Sequence, residues 1–291
     1  MKEGKVFSNQ RATKGSFEVP TTRFGQDRSW QLDCEAARCY QRFLVPVLFQ
    51  PWGTRLVEHA ALSPGSRVLD LACGTGVIAR LAAEKVGAGG QVMGLDLNPA
   101  MLSVAETLGP VSGAPIHWRW ANAERLPLSD LSFDAVICHQ GFQFFPDRMK
   151  AAMEMARVLR MGGRLTLNVW CGLSRNPLAS ALVAALRKGG LPECCKTMRQ
   201  PFSMRYKSEI TTPIEAVGLR ILIAEESRLW IFAFDAAEFL YGCLRAMPFS
   251  KKIPAAKVES LVGDVISALR PYIRRRALRF PSQCRTIVAV R

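Results

Sequence analysis

The chain has 291 residues, 49% of them hydrophobic and 22% charged, and a formal net charge of +15. That mix excludes a disordered chain, and the length suffices to bury a core without disulfides or metals. No apolar run reaches the roughly 18 residues of a membrane-spanning helix.

Residues 1–28 are polar and aperiodic and predict a flexible arm; with no apolar stretch they do not read as a secretory signal. Apolar positions at helical spacing over 32–60, interrupted by Pro46 and Pro51, predict two or three short helices. The pattern then changes. Strands are predicted at Arg67–Leu71, Gln91–Asp96, Ile116–Trp120, Asp134–His139 and Gly163–Trp170. Helices are predicted at Val77–Val86, Pro99–Leu108 and Asp147–Arg160, with Asn98 as an N-cap and Pro99 in the first helical position. This alternation means a parallel sheet with helices on both faces. Beyond Trp170 the rhythm loosens. Helices are expected at Asn176–Lys188, Ser208–Val217, Asp235–Ala246 and Ala255–Arg279, an irregular segment at Gly189–Arg205, and strands within Arg220–Phe232 and at Arg285–Val290.

The charge is unevenly placed. Residues 29–170 carry a net +1, whereas residues 171–291 carry +11. A local excess of this kind points to a face or pocket for something acidic rather than to a nucleic-acid coat. Arg270, Arg274, Arg275, Arg276 and Arg279 are its densest cluster, expected on a helix. The nine cysteines include no C-x-x-C pair and read as reduced core thiols, which predicts a cytoplasmic setting and no metal site.

The chemistry concentrates at Val68–Gly76, VLDLACGTG. A strand ends on an acid, a glycine turn follows, and a helix begins. Glycines serve where the backbone turns left-handed or where a ligand lies against it. In open α/β sheets ligands sit at the carboxyl ends of the strands. Gly74-Thr75-Gly76-Val77-Ile78-Ala79 satisfies the dinucleotide pattern G-x-G-x-x-[GA], which alone is weak. Asp70 weighs against an NAD-dependent dehydrogenase, because a carboxylate before the turn would oppose a pyrophosphate. It suits a cofactor carrying an ammonium and a sulfonium. Asp96, at the end of the second strand, can accept from both hydroxyls of a ribose.

VLDLACGTG, GLDLNPAML, ANAERLPLSDLSFDAVICHQGFQFFPD and EMARVLRMGGRL follow one another as do the motifs of class I S-adenosylmethionine-dependent methyltransferases. Over about residues 60–170 the chain resembles that family, closest to its small-molecule and quinone methyltransferase type. The resemblance implies a Rossmann-like, doubly wound, mostly parallel seven-stranded α/β sheet with helical lid insertions, S-adenosyl-L-methionine as cofactor and S-adenosyl-L-homocysteine as product. It implies that Asp70, Ala72 and the turn Gly74, Thr75 and Gly76 hold the methionine end, that Asp96 holds the ribose, and that Leu97 and Met101 flank the adenine. Asn122, Ala123 and Glu124 would meet the adenine edge, with Asn122 standing where this type often has Asp. His139 and Gln140 would line the cleft beside the sulfonium.

His139 is the candidate general base, since an imidazole titrates in a useful range. His59 and His117 read as structural. Trp30, Tyr40 and Phe142 are the candidate substrate contacts, and Phe144, Phe145, Trp170 and Phe202 could join them in an apolar wall. The expected organisation is an arm (1–28), an N-terminal helical cap (29–60), a cofactor-binding core (61–170), and lid helices with the last two strands (171–291). The expected reaction is in-line methyl transfer to an O, N, S or C nucleophile of a small, apolar or aromatic molecule, with an acidic group on it consistent with the basic lid. A membrane surface or an acidic partner would also suit that basic half. The rivals are an RNA methyltransferase, for which no RNA-binding module is visible, and a non-catalytic cofactor-binding module.

Overall fold

The computed structural model describes residues 30–291. The arm expected over 1–28 lies outside the described residues.

Five parallel strands form the first part of the sheet: β1 (Arg67–Leu71), β2 (Gln91–Asp96), β3 (Ile116–Trp120), β4 (Phe133–His139) and β5 (Leu159–Trp170). Two long strands complete it. β8 (Ala277–Val290) pairs antiparallel to β5, and β6 (Arg220–Ala233) pairs antiparallel to β8. The order is β3-β2-β1-β4-β5-β8-β6, and a two-residue β7 (Ile273–Arg274) forms a hairpin with β8. The chain reverses beside β1, so the carboxyl ends of β1 and β4 open onto a crevice. The central strands are continuous apolar runs because helices cover both faces. On one side lie α2 (Gln50–His59) and α3 (Val77–Val86); on the other lie α5 (Arg148–Val158) and α8 (Ser208–Ala216).

Local chemistry starts the helices. Asp33 accepts from the Ala36 N–H at the head of α1 (Cys34–Cys39), Asn98 from Ala100 at α4 (Pro99–Thr107), Asp147 from Lys150 at α5, and Asp235 from Glu238 at α9 (Ala236–Arg245). Each supplies an acceptor to an N–H that the helix itself leaves unpaired.

A second apolar core lies beside the sheet. α6 (Pro177–Lys188), α7 (Pro192–Arg199), α9 and α10 (Ala255–Ala268) pack against the inner ends of β6 and β8 and against residues 40–49.

The fold departs from the sequence expectation in four places. Residues 34–59 form one continuous helical stretch, not separate short helices. Tyr40–Phe49 winds as a π-helix with Pro46 inside it, and Pro51 occupies a first-turn position of α2, where a missing N–H costs nothing. The segment expected to be irregular contains α7, whose Cys194, Cys195 and Met198 are buried. β5 begins directly after α5, with residues 160–163 looped out at Gly162. Finally, α10 stops at Ala268 and the arginine cluster is not helical: Arg270 lies in a short turn, Arg275 takes a left-handed φ of 56°, and Arg279 lies in β8. Pro271 cannot extend the helix and Arg275 turns the hairpin. Pro281 hid this strand, because a proline in a run argues against one.

All nine cysteines are free thiols, eight of them buried. Among the described residues no group of His, Cys, Asp or Glu could hold a metal ion, and no helix is long and apolar enough to cross a membrane.

Candidate active site

At the carboxyl ends of β1, β2 and β4 lies a cavity of about 250 Å³. Its floor is the loop after β1. Ala72 and Gln140 are non-glycine residues in the left-handed region, with φ of 59° and 56°, and both stand on the cavity wall. Each such residue costs roughly 1–2 kcal/mol, strain that gathers at functional sites. Gly74 also has positive φ, and a Cβ there would meet only Met101 at 3.9 Å, so its open side faces the cavity.

Gly76 has a different cause. A side chain at its φ of 87° would enter the ring of Trp118, and so would one at Gly94. Its glycine is required by packing under the loop, not by a ligand above it, which weakens the dinucleotide reading further.

Two acids define this end. Asp70, expected to hold the methionine end, is fully buried and does not itself line the cavity, because it sits one residue before the end of β1 with its Oδ2 turned to the Ala79 N–H at 2.9 Å; its Oδ1 has no partner. Asp96 lines the cavity and accepts from Gly74 N–H (2.7 Å) and Asn98 N–H (2.8 Å). Burial raises both carboxyl pKa values, and the charge of Asp96 pushes Asp70 further. A buried orphan acceptor beside a second carboxylate is a site that gains by receiving a cation. The wall residues therefore fit S-adenosylmethionine: an open glycine for close approach and Asp96 for the ribose hydroxyls, with the Asp70 carboxyl buried behind them on the side that would favour a cation.

Of the remaining expected residues, Leu97, Met101, Asn122, Ala123, His139 and Gln140 line the cavity. Asn122 Oδ1 already accepts from the Glu124 N–H at 2.9 Å, which fixes the amide in its own turn. Glu124 itself does not line the cavity; its carboxylate accepts from Asp147 N–H at the head of α5. Thr75 is buried beneath the loop, its hydroxyl without a partner, and it too stands off the wall.

His139 is locked. Nδ1 lies 2.8 Å from Asn168 Oδ1 and Nε2 3.0 Å from the Phe49 carbonyl oxygen. Both neighbours are acceptors, and burial lowers the imidazole pKa to about 4. The neutral ring donates its one N–H to one oxygen and turns its lone pair toward the other. No lone pair is aimed into the cavity, as a general base requires.

The other walls are apolar. Trp30, Tyr40, Phe144, Phe145, Trp170 and Phe202 stand on them as the sequence suggested. Phe142 does not; it is fully buried in the core under the sheet, meeting Phe145 edge to face. Phe49, Phe280, Met198 and Leu182 also line the cavity and were not anticipated. They come from the π-helix, β8, α7 and α6, and nothing local marks a core residue as facing a cavity rather than a neighbour. Tyr40 touches Phe49, and Phe49 touches Trp170 and His139, so the aromatic wall is continuous. Among the described residues no Lys or Arg lines it, so the basic lid does not bring its charge to the cavity.

The sheet order and the crevice at its carboxyl edge are those of the class I methyltransferase fold. The family described as "Methyltransferase domain" matches residues 69–167. Over 123 residues the chain is 40% identical to an uncharacterised protein of Mycobacterium tuberculosis, a match covering 42% of this chain and 44% of the relative. It is 39% identical over 120 residues to the chloroplastic 2-phytyl-1,4-beta-naphthoquinone methyltransferase of Arabidopsis thaliana, covering 40% of this chain and 46% of that one. The matched part thus spans less than half of these relatives. A methyltransferase-fold structure from Bacillus halodurans superposes with a TM-score of 0.54 at 19% identity, over 82% of this chain and 97% of its own.

Proposed function

We propose that the protein is an S-adenosylmethionine-dependent methyltransferase acting on a neutral, apolar, aromatic small molecule. The observation that carries this reading is the division of one cavity into an end with the Asp96 carboxylate on its wall and Asp70 buried behind it, and a remainder walled by aromatic rings, free of Lys and Arg among the described residues. The naphthoquinone named for the Arabidopsis relative is a molecule of that character.

S-adenosylmethionine supplies a methyl group already activated on a sulfonium, which an acceptor takes by in-line displacement. The chain's residues hold and align. Asp70 and the loop at Gly74 would take the amino-acid end, Asp96 the ribose, and Leu97, Met101 and Asn122–Ala123 the adenine. Alignment alone can contribute several kcal/mol, up to roughly 7–11 in well-oriented cases. The aromatic wall keeps water from the reacting atoms. His139 acts as a strut, joining the ends of β4 and β5 to the π-helix through Asn168 and the Phe49 carbonyl.

Calorimetry with S-adenosylhomocysteine tests the cofactor half; absence of binding to the wild-type chain overturns it. Incubation with methyl-labelled cofactor and fractionated cell extract tests the acceptor half. Label is expected in neutral, solvent-extractable aromatic products, and label confined to acidic products or RNA would refute it.

A further inference from the structure

The outer side of the β6–β8 ribbon presents large rings to solvent. Trp230, Phe232 and Phe234 are 52%, 47% and 86% exposed. Residues two apart in a strand share a face, and the intervening Ile231 and Ala233 are buried in the lid core. Phe232 and Phe234 meet edge to face at 4.9 Å. Register sets Phe232 opposite Arg279, whose guanidinium lies 5.0 Å above the Trp230 ring. The β7–β8 turn adds Arg274, Arg275 and Arg276, all exposed, and Arg276 pairs with Asp235 at 2.5 Å beside Phe234. Three exposed aromatics and four arginines thus gather along one edge of the sheet.

Large apolar side chains are ordinarily scattered singly over a protein surface, and a cluster of them marks an interaction site. Aromatic rings beside cations form the composition found at the headgroup level of bilayers. We propose that this ridge docks the protein on a bilayer surface carrying anionic lipids. Trp230 and Phe234 enter the headgroup layer, and Arg274, Arg275 and Arg279 meet the phosphates. Charge complementarity supports that partner, since residues 171–291 carry +11 while the preceding core is nearly neutral. Glu225 and Glu226 break the positive track further along β6, so the edge lacks the long continuous cationic track that single-stranded nucleic acid needs. A two-fold pairing of ridges would bring the exposed arginines of both copies into one interface, where like charges oppose association.

β8 links the ridge to the cavity, because Phe280 and Ser282 line the cavity wall. The docking itself does not depend on the cavity's chemistry. The test is sedimentation of the full chain with vesicles of phosphatidylcholine alone and of phosphatidylcholine with phosphatidylserine in a two-to-one ratio. Binding is expected only to the anionic vesicles, weakening steeply with salt, with Trp fluorescence quenched by brominated lipid. Trp230→Phe should keep the sedimentation and lose most of the quenching. Phe234→Ser and the pair Arg274→Glu, Arg275→Glu should each lower partition by about tenfold or more. Both should bind S-adenosylhomocysteine like the wild type, which shows that they fold. No sedimentation, sedimentation unchanged in both variants, displacement by RNA homopolymer, or a wild-type dimer dispersed by Phe234→Ser would each overturn the proposal.

Discussion

The two ends of the cavity are built in opposite ways. At the end beside β1 the backbone does the shaping: left-handed Ala72, Gly74 and Gln140, and Asp96 held by two N–H groups, with Asp70 buried behind it. At the acceptor end side chains do it: rings and aliphatic groups from the π-helix, α6, α7, α9 and β8, with no cation among the described residues on the wall. Backbone geometry tolerates almost no substitution, while an apolar wall can be resurfaced at modest cost. Under the proposed function, binding of the constant ligand belongs to the first, and choice of acceptor to the second.

The sharpest way to break this division is a pair of substitutions. Asp96→Ala removes the acceptor proposed for the ribose hydroxyls and should weaken S-adenosylhomocysteine about 100-fold or more by calorimetry. Trp170→Ala, on the acceptor wall, should leave that affinity within about twofold while changing which acceptors are methylated. Comparable losses from both would merge the two ends into one site.

Stability separates them next. Gly76→Ala forces an unfavourable φ and drives a methyl into Trp118, which should cost about 2–4 kcal/mol in urea unfolding. Trp118→Leu in the same chain should restore much of it; no restoration would mean that the loop, not the ring beneath, sets the requirement.

The strut between the ends gives a pH signature. Burial lowers the His139 pKa to about 4 in the folded protein, from the ordinary imidazole value of about 6.5. Its contribution is therefore present above pH 6.5 and is lost as pH falls toward 4, because the unfolded chain takes the proton first. The wild type minus His139→Gln difference in unfolding free energy should fall by about 3 kcal/mol across that window. A flat difference would show that the ring is not held neutral.

The smallest effect belongs to the surface. Lys188 pairs with Asp264 at 2.6 Å, the lysine largely exposed, and Lys188→Ala should change stability by about 1 kcal/mol or less. A larger loss would mean that lid helices α6 and α10 depend on charge as well as on their apolar seam.

Much was legible before the structure. The core strands were readable because each is a short apolar run between glycine or acidic breaks. Asp96 could be placed at the cavity from sequence because it is the acid that ends a buried strand, whereas Asp70, one residue short of the end of β1, lies beneath the wall. Six of the seven proposed wall aromatics were identified, yet Phe142 was misplaced, because residues 142–145 leave the strand in a tight turn that sends neighbouring rings to opposite sides. The helix expected over 255–279 failed at its second half. Arginine, alanine and leucine suit a helix, but Pro271 and the left-handed Arg275 give this segment to the sheet.

The sequence by itself determined the cofactor end, since strand, acid and glycine are local signals whose meaning lies within a dozen residues. Only the tertiary structure decided the rest: that both nitrogens of His139 face acceptors, that Gly76 answers to Trp118, and that the arginines lie on an outer ridge away from the cavity. Those facts depend on which distant surfaces meet. Residue order records no such meeting when the contact is packing rather than backbone conformation.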